Sequence, residues 1–197
     1  MNLNSTIRRG VLRVPALAEV WTVKGTITNC LAELVENKFG KVKWLEVLKD
    51  AGIASNVTSI RMVISDVPDE RAAALLGSTC RVLGITLEQA ADAFGEYWCC
   101  EYAPRQYKVI VRKFKNAREM ILGMDAVHVN MTQTIANAHP PRFNYKWEDE
   151  NTLIVEYDSK RNMIDIYIGL ARGVGKYFNE KLSVSKLSPN TARIVFA

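Results

Sequence analysis

Residues Phe114–Ile135, FKNAREMILGMDAVHVNMTQTI, run through Pro140-Pro141 into RFNYKW at Arg142–Trp147, and the structural period of the chain changes between them. In the first stretch Phe114, Ala117, Ile121, Met124, Val127, Met131 and Ile135 recur at spacings of three and four, the period of an amphipathic helix. After the two prolines, Phe143, Tyr145 and Trp147 alternate with polar residues, and Thr152–Tyr157 is rich in β-branched side chains. Glu148–Asn151 between them reads as a hairpin turn.

Upstream of this junction the pattern is helical throughout. Ile27, Leu31, Leu34, Val35 and Phe39 define a helix from Thr26 that stops at Gly40, and a shorter helix over Lys43–Ala51 ends at Gly52. Ser65-Asp66 and Pro68 open a helix over Asp69–Leu83, closed by Gly84. Thr86 with Gln89 three residues on is a capping-box pattern for Leu87–Trp98. Downstream, helical spacing returns over Asn162–Phe178, and Lys181–Lys186 pairs with Thr191–Phe196 around Ser188-Pro189-Asn190. The chain is therefore expected to be α+β, a helical N-terminal part packed on a C-terminal antiparallel sheet that one helix crosses.

Chemistry concentrates beside the same junction. His128 is one of only two histidines and falls in the apolar seam between Met124 and Met131, where a neutral imidazole offers one ring nitrogen to a metal. A packed core histidine is the bland alternative for that residue. Tyr157, Ser159 and Arg161 occupy alternate positions, so in a strand they share a face in a row roughly 13 Å long. A guanidinium grips carboxylates and two hydroxyls add donors. A planar, anionic, iron-bearing group with two carboxylates matches both features, and haem is such a group.

Longer strings carry a family resemblance. Lys24-Gly25-Thr26-Ile27, Val82-Leu83-Gly84-Ile85, Phe94-Gly95-Glu96-Tyr97, Met124-Asp125-Ala126-Val127-His128, Pro140-Pro141, Tyr157-x-Ser159-x-Arg161 and Gly169-Leu170-Ala171-Arg172-Gly173-Val174 occur in register. In order and spacing the chain resembles an H-NOX domain, the haem nitric oxide/oxygen binding family that includes the haem domain of soluble guanylate cyclase. The resemblance implies haem b buried between the helical part and the sheet, with His128 as axial ligand. It implies that Tyr157, Ser159 and Arg161 hold the propionates, that Pro141 presses on the porphyrin, and that Ile27, Phe94 and Leu170 pack against it. Ile166 stands where oxygen-binding members carry a distal tyrosine, and Leu31 where they can carry tryptophan. This implies NO (and CO) as ligand with O₂ excluded, unless a one-residue shift brings Tyr167 to that face. In the family, NO binding releases the histidine helix and the signal passes to a partner. Here that implies a separate histidine kinase or cyclic-dinucleotide enzyme. An oxygen-binding sensor and a haem-free ligand-binding module of related fold are the alternatives, and a haem enzyme would need a distal acid or base that the sequence does not supply.

Composition bounds the rest. With 197 residues and 48% hydrophobic content the chain suits one globular domain, read as 23–197 behind an N-terminal extension, 1–22, with a short helix expected near Leu12–Val20. The net charge of +5 is read as interspersed, without a nucleic-acid motif, so no nucleic-acid partner is expected. Cys30, Cys80, Cys99 and Cys100 lack metal-site spacing, so reduced thiols and no zinc are expected. No stretch approaches membrane-spanning length and no secretory h-region is evident, which leads to the expectation of a cytoplasmic protein with no membrane partner.

Overall fold

The computed structural model describes residues 21–197; the helix expected near Leu12–Val20 lies outside them. The helical half opens with a short strand, β1 (Thr22–Lys24), paired antiparallel with β2 (Asp66–Pro68) across α1 (Gly25–Phe39) and α2 (Lys41–Asp50). Next comes α3 (Asp69–Leu83), which ends where Gly84 adopts φ 65°, a left-handed position that suits glycine. The Thr86 capping box forms in both directions at the start of α4 (Leu87–Tyr97): Gln89 N donates to Thr86 Oγ1 at 3.2 Å and Thr86 N to Gln89 Oε1 at 2.9 Å.

The expected α-helix through Trp98 is corrected at its last residue. From Trp98 to Tyr102 the chain forms a π-helical turn, and Tyr102 at its end is fully buried. Its Oη accepts from Thr26 Oγ1 (3.2 Å) and Asn29 Nδ2 (3.1 Å) of α1. Two short helices, α5 (Ala103–Gln106) and α6 (Lys108–Val111), lead to α7 (Ala117–Thr134), whose first turn is capped by Asn116 accepting from Glu119 N at 2.7 Å.

The second half is a four-stranded antiparallel sheet of β3 (Arg142–Trp147), β4 (Thr152–Asp158), β5 (Leu182–Ser188) and β6 (Thr191–Phe196) in the order β3-β4-β6-β5. α8 (Ile164–Phe178) connects β4 to β5. This confirms the α+β arrangement. One local expectation fails: β4 ends at Asp158, so Ser159 and Arg161 do not continue a strand row. The chain must reverse to enter α8, and it does so in a turn closed by Asn162 N donating to Ser159 O at 3.1 Å, with Asn162 at φ 50°.

Two apolar clusters form the core. One lies under the sheet (Phe143, Leu153, Val155, Tyr157, Tyr167, Ile194), and the other fills the helical half (Leu31, Val35, Trp44, Leu75, Phe94, Tyr102). Trp98, Tyr107 and Leu170 pack against both. The halves are pinned where α4 crosses α8. A Cβ on Gly95 would lie 2.0 Å from Gly169 O, and one on Gly169 would lie 2.1 Å from Ala91 O. Only glycine permits this backbone-to-backbone approach, and it fixes Leu170 and Ile166 of α8 relative to Phe94 of α4.

Candidate functional site

His128 sits half-buried on α7 facing β3. Its Nδ1 lies 2.7 Å from the carbonyl oxygen of Pro141, and its ring packs 5.2 Å from that of Phe143. A carbonyl can only accept, so Nδ1 carries the proton and Nε2 keeps its lone pair. Desolvation pushes the imidazole below its ordinary pKa, while the Pro141 carbonyl and Asp125 pull it up. The favoured form is a neutral imidazole with its second nitrogen fixed by a backbone acceptor. That donor chemistry fits a haem iron.

Asp125, one helical turn before His128, was not singled out from the sequence for a role of its own. Its carboxylate takes Arg142 Nε and Nη2, both at 2.8 Å, and Phe143 N at 2.9 Å. Tyr145 Oη donates to Ile121 O at 2.7 Å. α7 is thus stitched to β3 along about two turns, from Ile121 to His128, and Pro141 is held over His128. Spacing i, i+3 on one helix face was the available signal.

Tyr157, Ser159 and Arg161 do come together, at the β4–α8 turn. Burial pushes the Tyr157 phenol up in pKa, opposed by the Ser159 hydroxyl and the Arg161 guanidinium beside it. Arg161 spreads its fork over three groups: Asp69 Oδ2 (2.8 Å), His139 O (2.6 Å) and Thr22 O (2.7 Å). It therefore ties the start of the helical half to the sheet half, a role the sequence reading did not anticipate. The phenol, hydroxyl and guanidinium gathered at this turn are donor types that suit a carboxylate, although each Arg161 nitrogen already has a protein acceptor.

Ile27, Leu31, Phe94 and Ile166 line a cavity of about 60 Å³, together with Val23, Thr28, Ala72, Leu76 and Met163. Thr28 is the one lining residue with a side-chain hydroxyl, and its single proton is directed to Ile60 O at 2.7 Å, with Gly25 O also within reach at 3.2 Å. No uncommitted donor faces this space among the described residues. Tyr167, one position beyond Ile166, points the other way, into the sheet-side cluster 5.0 Å from Phe143 and 6.1 Å from Tyr157. Its hydroxyl is buried there without a partner among the described residues. Leu170 packs between the two clusters, and its carbonyl lies 3.5 Å from Cys99 Sγ.

Comparison with known proteins agrees with this architecture. An H-NOX protein from S. oneidensis in the Fe(II) ligation state superposes with TM-score 0.80 at 17% identity, covering 89% of this chain and 96% of that one. An oxygen-binding H-NOX domain related to soluble guanylate cyclases, in its oxygen complex, gives 0.73 at 23% identity, covering 88% and 95%. The fold is the H-NOX fold. A profile described as haem-NO-binding (HNOB) matches residues 24–186. The chain belongs to the haem-NO-binding family. The soluble guanylate cyclase gcy-34 of Caenorhabditis elegans is 25% identical over 165 residues, 81% of this chain, and the chain spans only 24% of that protein's length.

Proposed function

We propose that the chain is a haem-based sensor of nitric oxide that reports to a separate partner. The observation that carries this reading is the neutral His128, whose Nδ1–H donates to Pro141 O, together with an apolar cavity in the helical half whose lining offers no free donor among the described residues. Haem b, when bound, supplies a ferrous centre able to take up NO or CO. His128 would present Nε2 to that iron, while Tyr157, Ser159 and Arg161 would hold the propionates and Pro141 would press on the ring. Ile27, Phe94 and Leu170 would wall the macrocycle, with Ile166 on the distal side.

Selectivity follows from polarity. Bound O₂ gathers negative charge and depends on a nearby hydrogen-bond donor, whereas NO binds ferrous haem tightly without one. Ile166 and Leu31 supply none, and Thr28 spends its hydroxyl on backbone carbonyls. Coupling to a partner follows from the stitching of α7 to β3. Asp125, Arg142 and Tyr145 keep the helix and the edge strand as one body, so a change in the tether at His128 reaches β3 and the Pro141 turn together. Recipients of the signal would be a histidine kinase or a cyclic-dinucleotide enzyme.

The deciding experiment is the absorption spectrum of the reduced protein in argon, in air, under CO and under NO. The proposal expects identical spectra in argon and air, a six-coordinate CO form, and a largely five-coordinate NO form. A stable oxygen spectrum overturns the selectivity, and absence of a Soret band after purification and haem reconstitution overturns the sensor itself.

A further inference from the structure

The formal charge of the whole chain is +5, and between Glu101 and Glu119 lie six basic residues (Arg105, Lys108, Arg112, Lys113, Lys115 and Arg118) with no acidic one. This one segment holds more than the entire excess, which corrects the reading of the charge as interspersed. Two of the six are committed within the fold. Arg105 pairs with Glu33. Arg118 lies over Trp147 at 4.9 Å and Phe196 at 4.8 Å and donates to Asn151.

The other four, Lys108, Arg112, Lys113 and Lys115, are exposed and make no salt bridge among the described residues. Lys108 and Arg112 rim a cleft of about 150 Å³ whose remaining lining is Pro104, Val111 and Tyr177. Beside it Val109 stands 77% exposed. A cationic rim around a partly apolar cleft, with an isolated aliphatic side chain at its edge, accepts acidic side chains interleaved with apolar ones. We infer that this face docks an acidic surface of the signalling partner, an inference that rests on the sensor reading above.

Position supports that assignment. The basic segment runs directly into the Asn116 cap of α7, the helix bearing His128, and Tyr177 belongs to the last turn of α8, which carries Ile166 and Leu170. A partner seated here touches the ends of both helices that border the site. Charge opposition of this kind steers encounter and selects partners. A phospholipid surface would draw on the lysines without filling the cleft. A single nucleic-acid strand would need a row of stacking aromatics, and among the described residues Tyr177 is the one aromatic lining the cleft.

The test is fluorescence anisotropy of a labelled peptide of alternating glutamate and leucine, titrated with the haem-loaded protein at physiological ionic strength. Vesicles of phosphatidylserine and phosphatidylcholine and a labelled single-stranded oligonucleotide run in parallel. The double variant Arg112→Glu/Lys113→Glu should weaken peptide binding roughly tenfold or more, while Lys41→Glu/Lys49→Glu on α2, an equal change of charge, leaves it intact. Soret and far-UV spectra establish that each variant is folded and loaded. Equal weakening by both variants, no binding of the peptide by the wild type, or a preference for vesicles or oligonucleotide overturns the docking face. Peptide binding requires no haem, so a wild-type protein that docks the peptide but never takes up haem sinks the sensor reading and leaves this surface standing.

Discussion

His128 Nδ1 and the Pro141 carbonyl oxygen stand 2.7 Å apart, which joins the helix before the Pro140-Pro141 junction to the start of the strand after it through an imidazole whose Nε2 keeps its lone pair. Replacing His128 by alanine removes that lone pair and leaves a space of imidazole size. His128→Ala protein is expected to lose most of its haem under ordinary expression and to regain it when free imidazole is present during growth. Haem content per mole of protein, read from the Soret band, is the measurement. Full retention without imidazole would remove His128 as the axial ligand.

Asp125 bears on that imidazole indirectly, through the start of β3 and the Pro141 carbonyl. Its carboxylate fixes Arg142 and Phe143 N, and the Arg142 guanidinium beside it holds it below the usual carboxylate range. Asp125→Ala frees the start of β3 and with it Pro141. Groups that orient a metal ligand typically change affinity about 10- to 100-fold when removed. Transfer of haem to apomyoglobin should speed up on that scale, and Asp125→Asn, which keeps an acceptor for Phe143 N, should recover part of the loss. Unchanged transfer in Asp125→Ala would detach the clamp from ligand positioning.

Much of this was legible in the sequence because local rules dominate where elements begin and end. Asp69–Leu83 occupies the span that Pro68 and Gly84 mark, and the Thr86–Gln89 box forms as written. What the sequence hid depends on distant partners. No periodicity tells that Arg161 would grip Asp69, Thr22 O and His139 O across the two halves, or that the chain would leave the strand before Ser159. The π-helical turn at Trp98–Tyr102 follows from Tyr102 reaching Thr26 and Asn29 on α1, contacts between residues more than seventy positions apart. The sides taken by Ile166 and Tyr167 were likewise open until α8 was fixed on α4.

That crossing of α4 and α8 gives a paired prediction. A methyl group at Gly169 would meet the Ala91 backbone at 2.1 Å, and backbone cannot rotate aside. Gly169→Ala should cost about 3 kcal/mol, the upper range of overpacking. Gly77 on α3 meets only the tip of Arg81, at 3.4 Å, so Gly77→Ala should stabilise by roughly 0.5–1 kcal/mol through helix propensity. Urea midpoints of the two variants should move in opposite directions. Movement in the same direction would contradict the close approach.

Tyr167 carries a buried hydroxyl with no partner among the described residues, surrounded by Phe143 and Tyr157. Removing an unpaired buried hydroxyl relieves its desolvation, so Tyr167→Phe should be neutral or stabilising by about 1 kcal/mol. Its CO and NO spectra should match those of the wild type, because the ring belongs to the sheet-side cluster. A shifted CO stretch in Tyr167→Phe would place the phenol on the ligand side.

The proposed distal face gives the sharpest test, because the NO-selective reading turns on one side chain. Ile166 lines the apolar cavity with Leu31, Ile27 and Phe94, so Ile166→Tyr would direct a phenol into a space whose walls are almost entirely hydrocarbon. A donor there is worth more than in water, since nothing else competes for it. Ile166→Tyr should therefore gain a measurable oxygen complex that the unmodified protein is expected to lack. The cavity of about 60 Å³ leaves little room for a ring, so the single variant should hold oxygen only briefly. Leu31 bounds the same space, and Ile166→Tyr/Leu31→Ala, which clears volume beside the new phenol, should slow oxygen dissociation further. Stopped-flow dissociation of oxygen from the two reduced variants measures this. No oxygen complex in either variant, with haem content intact, would show that position 166 does not face the ligand and would reopen the distal assignment.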